Sequence, residues 1–515
     1  MPSTPVKIGP FVGGLNSYSD PTAVGDNECI DVVNFDIDLD GSLYSRFPIT
    51  VEDVHGDVPS TGRLDLLGFY IDPNGVRYLI TSRYGNSITQ ARNEETGVWS
   101  TVTNTFSATV MVQYANKAYL VAPGNEVDPG GSWEPVGGFV AIATMPKGDT
   151  AAIYKERLFI SGTGTNANRV YFSNAADFAT WNTGVNFFDA RAGDGQAIIK
   201  LVIFQDTVVI FKQNSTYVFS YDSSPSRGAV RIINTAIGTT NPHCVVEHEN
   251  SLYVLHEDCA YQLANWNFTM INLKVPFVYS RPSVDYEVTA SLSVIADRLA
   301  VRYYGSTYIF NLRNATWTKW SESTNWRKFL KWVKVPPKNP DDVEKYYAGA
   351  GYAATVDESR SLLSWSPRYD AGLGEEMNCY VKTKIFDFNV PYTFKRLFWW
   401  GVDLLNRRDL SYIVHPVQYS RGTTHAEMSA YTHTQLSAGS HLQPLSVSID
   451  VSGSMEISNS TGNRMFVKLL KSMRFRQIYF TVSGNTKGTT VEAPFRIYSV
   501  VAFIDNKQLV SKEVS

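Results

Sequence analysis

The chain has 515 residues and a mass of 57.5 kDa, with 43% hydrophobic and 18% charged residues and a formal net charge of −3. This composition can bury a sizeable core and excludes a disordered chain. No run approaches the length of an apolar membrane-spanning helix, and no apolar segment of signal-peptide type follows Met1-Pro-Ser-Thr-Pro5. The charge excludes a generally basic nucleic-acid binder, although a local basic patch remains compatible with it.

Residues 1–60 carry ten acidic side chains against Lys7 and Arg46, a net of −8, whereas residues 375–515 carry a net of +5. An acidic head and a basic tail can pair within one fold or between neighbouring copies. Within the head, Asp36-Ile-Asp-Leu-Asp-Gly41 matches the opening of a calcium loop. Position twelve of that frame is Phe47, not the bidentate Glu. Its other reading is a strand ending in an Asp-Gly hairpin turn before Ser42-Leu-Tyr44. Strand-like stretches at Cys29–Asp38 and Leu43–Ser45 suggest that this segment packs against the body of the chain and completes its last sheet.

From Gly68 onwards one unit recurs: an apolar strand, a polar tight turn, and a second apolar strand. The first apolar residue after each turn falls at Val76, Ala118, Leu158, Val208, Leu252 and Leu299, in steps of 40–50 residues. A seventh, weaker copy places Leu362 in this series. Later strands of the units include Arg169–Ser173, Ser215–Ser220, Ala260–Leu263 and Ser306–Asn311, with Trp99, Trp181 and Trp317 as large apolar anchors. Four short strands per 40–50 residues is the period of a β-propeller, in which each blade hides its faces only against its neighbours.

Past residue 375 the period fades. Strands at Lys382–Phe388, Ser446–Asp450, Gln477–Val482 and Phe495–Phe503 suggest a β-sandwich module, with 421–443 as a Ser/Thr/His-rich surface loop. Phe466, Leu469, Leu470 and Met473 have helical spacing, but the alternation around Met473–Val482 favours strand throughout. The expected fold is therefore all-β: a propeller of six to seven blades, some incomplete or irregular, over 61–374. A docking segment over 1–60 precedes it and a β-rich module over 375–515 comes after it.

Chemistry-bearing motifs are sparse. Cys29, Cys244, Cys259 and Cys379 lie far apart and read as reduced thiols. His243, Cys244, His248 and His256 are close in sequence, and His248 could meet His256 across a hairpin. No carboxylate or thiol completes a metal-ligand spacing, so a structural role is favoured. His425, His433 and His441 read as solvated. No nucleophile elbow, phosphate loop, metalloprotease or dinucleotide motif is present, and Ser161-Gly-Thr-Gly-Thr-Asn166 lacks the lysine and helix of a phosphate loop. No catalytic, cofactor or metal residue is assigned, no cofactor is expected, and the chain reads as a non-enzyme.

Several stretches together resemble a known family. These are Gly9-Pro-Phe-Val-Gly-Gly-Leu-Asn16, Asp20-Pro-Thr-Ala23, Val33-Asn-Phe-Asp-Ile-Asp-Leu-Asp-Gly-Ser-Leu43 and Ser45-Arg-Phe-Pro48. Further along stand Val170-Tyr-Phe-Ser-Asn174 with Asp177, Phe178 and Trp181, then Gly193-Asp-Gly195 ahead of Phe204–Lys212. Ala315-Thr-Trp-Thr-Lys-Trp320 and Phe386-Asp-Phe388 with Lys395-Arg396 complete the set. Together they resemble the β-propeller tail proteins of tailed bacteriophages, the nozzle or tail tubular proteins and related minor tail proteins. The resemblance implies a structural virion component without catalysis. Such proteins form a coaxial homo-oligomer, usually six-fold for nozzles, which contacts other tail proteins and passes DNA without binding it specifically. Because each phosphate contact would slow passage, a DNA conduit is expected to keep Lys395, Arg396, Arg407, Arg408, Arg474 and Arg476 outside an acidic or neutral polar channel; the competing view is that this basic module lines the pore and grips DNA. The rival reading is a propeller that binds or hydrolyses glycans.

Overall fold

In the computed structural model of the chain, strands dominate, and the helices among the described residues are single turns at Pro225–Arg227 and Pro242–Cys244. The structure describes residues 4–505 apart from 48, 55–63, 84–86, 163, 165, 192, 278–289, 304–305, 322–328, 351–360, 367–377, 387, 389–394, 406–411, 420–462, 476 and 486–495.

Among the described residues, seven four-stranded antiparallel units succeed one another along the chain. Blade 1 is built from Leu64–Ile71, Arg77–Arg83, Ile88–Asn93 and Trp99–Thr103. Blades 2 to 6 open with Val110–Tyr114, Thr150–Tyr154, Ile198–Phe204, Val245–His248 and Ala290–Ile295. Blade 7 holds Phe329–Lys334, Tyr346–Ala350 and Ser361–Trp365. First strands of neighbouring blades lie against one another, so they ring the axis, and the ring closes where blade 7 meets blade 1.

The turn after each first strand shows why the repeat is visible in the sequence. Ala115-Asn116, Lys155-Glu156, Gln205-Asp206 and Glu249-Asn250 are two-residue loops in which both residues have positive φ. Such turns match the twist of the flanking strands. Apolar strands on each side then pack between blades. Phe204, Val209, Phe211, Leu252 and Val254 fill the space between blades 4 and 5.

The seventh unit departs from the expected register. Leu362 is buried, but it lies on the third strand of blade 7, not the second. The position equivalent to Leu299 is Tyr347, one residue into Tyr346–Ala350, and the step from Leu299 to Tyr347 is 48 residues. The long insertion before Leu362 hid this, because the second strand begins after the proline-rich loop.

Blade 7 takes its fourth strand from the other end of the chain. Thr50–Val54 pairs antiparallel with Ser361–Trp365, matching Thr50 to Ser364 and Val54 to Ser361. Ring closure by a distant strand covers an edge that would otherwise be exposed. Leu66, Leu79, Val335, Tyr347 and Leu362 bury the seam between blades 7 and 1.

The rest of the N-terminal segment is woven into the C-terminal region. Glu28–Val33 meets the fourth strand of blade 6, Thr316–Trp320, through Val33 and Lys319, and pairs antiparallel with Asn378–Thr383 on its other side. A nine-stranded sheet therefore runs from blade 6 into Gln477–Asn485 and Tyr412–Tyr419. A second sheet centres on Lys395–Leu405, flanked by Asn463–Phe475 and Arg496–Asp505. Thr4–Ile8 and Leu43–Ser45 also pair with Arg496–Asp505. One core spans all three regions, including Phe11, Leu15, Val32 and Phe35, then Leu292, Leu299 and Trp317, then Val381, Phe480 and Val500. The stretch around Phe466 is strand, and 421–443 lies outside the described residues.

Candidate functional site

The residues that carry the family resemblance converge on a buried polar junction. Asn34 stands at φ 57° where the chain leaves Glu28–Val33 for Phe35–Ile37. Its side-chain oxygen accepts from Arg46 Nε at 2.9 Å and from the Ser321 amide at 2.9 Å. Arg46 is fully buried, and it also donates to the carbonyls of Phe47 (3.1 Å) and Ser321 (3.2 Å). Its guanidinium lies 5.2 Å from the centroid of the Trp320 ring. Asp36, also buried, forms an ion pair with Arg298 at 3.0 Å and accepts from Trp320 Nε1 at 3.4 Å. Burial, with Asp36 next to it, pushes the Tyr44 phenol up to about 12. These charges are out of water and tolerable because Asp36 and Arg298 oppose each other and carbonyl and amide oxygens accept from Arg46.

These partners take the calcium pattern apart. Asp36 is bound to Arg298, Asp38 forms an ion pair with Arg496 at 2.9 Å, and Asp40 accepts from the Ser42 amide at 2.8 Å. Gly41, at φ 77°, turns the chain between the strands Phe35–Ile37 and Leu43–Ser45, the Asp-Gly hairpin geometry. Among the described residues no group of three or more His, Cys, Asp or Glu side chains is placed to hold a metal ion.

The histidines do not assemble. His248 ends the first strand of blade 5 opposite Ser251, and His256 ends the second strand opposite Cys259, so the two occupy opposite ends of Ser251–His256. The hairpin has the predicted register, but that register separates them. Cys29, Cys244 and Cys379 are buried free thiols and Cys259 is partly exposed. Burial pushes the Cys29 and Cys244 thiols well up, away from thiolate chemistry.

The family stretch Gly193-Asp-Gly195 forms a second site, which sequence reasoning did not assign. The link between blades 3 and 4 and the loop joining Thr207–Lys212 to Thr216–Ser220 border an open pocket of about 350 Å³. Arg191, Asp194, Gln196, Ser215, Tyr217 and Thr235 line it. Lys212 has a fully buried side chain, donating to Asn168 Oδ1 at 2.7 Å and to both oxygens of the pocket residue Asp194 at 2.9 and 2.7 Å. Burial works against the Asp194 carboxylate, but Lys212, the Gln196 amide and the Tyr217 hydroxyl hold it below its usual range. Gly193 and Gly195 have φ of 98° and 71°, which glycine accepts readily and other residues do not. A lone lysine ending an apolar strand was the available sequence signal.

At the seam between blades 7 and 1, two carboxylates share one hydroxyl. Tyr347 bonds Glu94 at 2.8 Å and Glu52 at 3.2 Å, while Arg92 holds Glu94 (2.7 Å) and Lys345 holds Glu52 (2.7 Å). Both acids are neutralised on the spot, so the pair is a lock between the N-terminal strand and blade 1. The head's acids are engaged more generally: Glu28 pairs with Lys274 at 2.6 Å, Asp31 with Lys319 at 3.3 Å, and Asp26 with Lys384.

No family model matches the chain, and no curated protein matches it. Solved structures with a similar chain arrangement include the extracellular domain of BT4673 from B. thetaiotaomicron, at 10% identity and a TM-score of 0.43. That match covers 70% of this chain and 44% of the other, so this chain spans under half of that protein's length. The WD40 domain of Neurospora crassa Pan2 has 6% identity and a TM-score of 0.39, covering 64% and 98% of the respective chains. The AfRom2 CNH domain has 8% identity and a TM-score of 0.38, covering 62% and 98%. None of the three is a phage tail protein. The chain is an all-β propeller protein.

Proposed function

We propose that the chain is a structural component of a bacteriophage tail, a nozzle or tail-tip ring whose copies surround the path of DNA and contact neighbouring tail proteins. One observation supports this reading above the others. The N-terminal segment that resembles the tail-protein signature is fastened to blade 6 through Asn34, Asp36 and Arg46, and its strands Glu28–Val33 and Thr50–Val54 pair with the C-terminal Asn378–Thr383 and with blade 7. Fastening of this kind suits a part that transmits force and has no lid to move. Lys395, expected to lie away from the channel, has a fully buried side chain and so faces protein. Arg396 and Arg474 are cross-strand partners, and Arg407, Arg408 and Arg476 lie outside the described residues.

The test is size-exclusion chromatography with light scattering on the full chain, followed by negative-stain imaging. The reading expects a closed ring with an axial opening, and no gel shift of duplex DNA at physiological salt. Salt should change the ring's mass little. The acids of the head, available in sequence for a neighbour's basic tail, are largely paired inside the chain, which leaves apolar contact to join copies. A monomer at every concentration would contradict the reading.

A second reading, glycan binding, is favoured by the Asp194–Tyr217 pocket, whose polar lining and single aromatic ring suit a sugar. Saturable binding of an oligosaccharide, abolished by Tyr217→Ala in a monomeric protein, would select it.

A further inference from the structure

The pocket at the junction of blades 3 and 4 carries a cation that the chain leaves without a counter-charge. Arg191, which lines it, stands at φ 50°, a left-handed backbone that side chains enter only at a cost. Its amide donates to the Asp189 carbonyl at 3.1 Å, and its carbonyl accepts from the buried Lys212 ammonium at 3.3 Å. The backbone is thereby fixed, while the residue as a whole stays exposed. The two acids closest to it in sequence are already engaged. Asp189 accepts two bonds from the Arg169 guanidinium at 2.8 and 3.0 Å, and Asp194 takes the Lys212 ammonium. Among the described residues nothing forms a hydrogen bond or ion pair with the Arg191 guanidinium.

Neutral polar groups complete the lining. The Gln196 side-chain oxygen accepts from the Asn214 amide at 2.9 Å and from Ser215 Oγ at 3.1 Å. Its Nε2 is left as a free donor among the described residues, and the hydroxyl of exposed Thr235 is likewise uncommitted. Ser215 Oγ keeps lone pairs with which to accept. Asp194 is the one carboxylate among the lining residues. Besides Lys212, the Gln196 amide (3.1 Å) and the Tyr217 hydroxyl (3.3 Å) donate to it. Asp194 and Lys212 cancel each other, so a ligand meets one positive charge, that of Arg191. Glycoside cleavage uses a pair of carboxylates flanking the bond, so this lining suits binding and not hydrolysis.

We propose that this pocket binds a carboxylated sugar unit of the uronic-acid class, which rests on the glycan-binding reading above and narrows it. The sugar carboxylate pairs with the Arg191 guanidinium, whose planar fork matches two carboxylate oxygens. The ring hydroxyls bond Gln196 Nε2, Thr235 Oγ1 and Ser215 Oγ. The charge count selects the anion: a single free cation balances a carboxylate, whereas a phosphate dianion would need a second one. The size selects the ligand's extent, since about 350 Å³ is at the small end of ligand pockets and suits one ring. The loop is held by its own bonds before any ligand arrives, so little ordering opposes binding. The site belongs to the single chain and does not depend on a ring of copies.

The experiment is a ligand-observed NMR titration of the full chain at neutral pH with glucuronate, glucose and acetate, using wild type, Arg191→Gln and Arg191→Lys. Wild type should bind glucuronate saturably, and glucose and acetate each about tenfold or more weakly. Arg191→Gln should weaken glucuronate binding about tenfold and leave glucose unchanged. Arg191→Lys should recover part of the loss, because an ammonium restores the charge without the fork. Both variants should melt with wild type, since the side chain they change is exposed and unpaired, which separates lost binding from lost folding. Equal glucuronate affinity in wild type and Arg191→Gln overturns the proposal while leaving glycan binding standing, as does equal affinity of wild type for glucuronate and glucose. Acetate binding as tight as glucuronate overturns the part given to the sugar ring. Absence of saturable binding of every probe up to about 10 mM overturns the proposal and the glycan reading together.

Discussion

Arg46 shows what a single residue does in this molecule. It has no exposed surface, and its guanidinium satisfies Asn34, Phe47 and Ser321 while covering the Trp320 ring. Arg46→Met keeps the volume but leaves the Asn34 oxygen and the Ser321 carbonyl short of donors in a dry site. Removing one member of a buried polar set typically costs about 3–5 kcal/mol. Urea unfolding should read that loss, and Arg46→Lys should recover little of it, because an ammonium cannot serve three acceptors in a planar fork. Glu28 makes a matching case for pH. Burial opposes its charge, but Lys274, Asn16 and the Gly25 amide hold its carboxyl below the ordinary value of 4.5. A carboxyl depressed in the folded state adds stability above its unfolded pKa and loses it as pH falls through the folded pKa. Melting temperature should therefore drop below about pH 4.5 in wild type, with a shallower drop in Glu28→Gln. An identical pH profile for the two proteins would remove Glu28 from the account.

At the scale of elements, the hairpin is the unit that both folds locally and repeats. Its turns carry non-glycine residues at positive φ, such as Glu249 at 44° and Asn250 at 60°. Each such residue costs roughly 1 kcal/mol relative to one suited to that region, and Asn less. Replacing Glu249-Asn250 by Asn-Gly should stabilise the chain by about 1 kcal/mol, read as a higher urea midpoint with unchanged slope. Inter-blade ties sit at the same turns. The Tyr70 hydroxyl donates to the Asn116 carbonyl at 2.6 Å, and Tyr154 donates to the Asp206 carbonyl at 2.8 Å. The hairpins were legible because alternation, turn and second strand are contiguous in sequence. Partners of isolated strands were not. Thr50–Val54 and Glu28–Val33 read as strands, but their ladders join residues about 300 positions apart, and nothing local encodes that choice. The misplacement of Leu362 has the same origin, since a buried leucine after a turn looks alike on a second or third strand. The pairing of Lys212 with Asp194 was hidden for another reason: a lysine at a strand end is commonly solvated, and only the loop folding back over it makes it buried.

For the whole molecule, strands and core residues join the three regions read from the change of period, 1–60, 61–374 and 375–515. Residues 4–54 contribute strands to the C-terminal sheet, to the extension of blade 6 and to blade 7, and their apolar side chains share one core with both neighbours. The acidic head is likewise partnered by Lys274, Arg298, Lys319 and Lys345 of the propeller as well as by Lys384 and Arg496 beyond it. The segment thus closes the ring and fixes the C-terminal strands on it, so the three regions hold together as one body. Thermal unfolding of a variant lacking residues 1–55, compared with the full chain by near-ultraviolet circular dichroism, tests this directly. The account predicts insoluble protein, or a soluble form that has lost its near-ultraviolet signal and unfolds without a cooperative transition. A soluble truncated protein with the native signal and an unchanged melting temperature would contradict it.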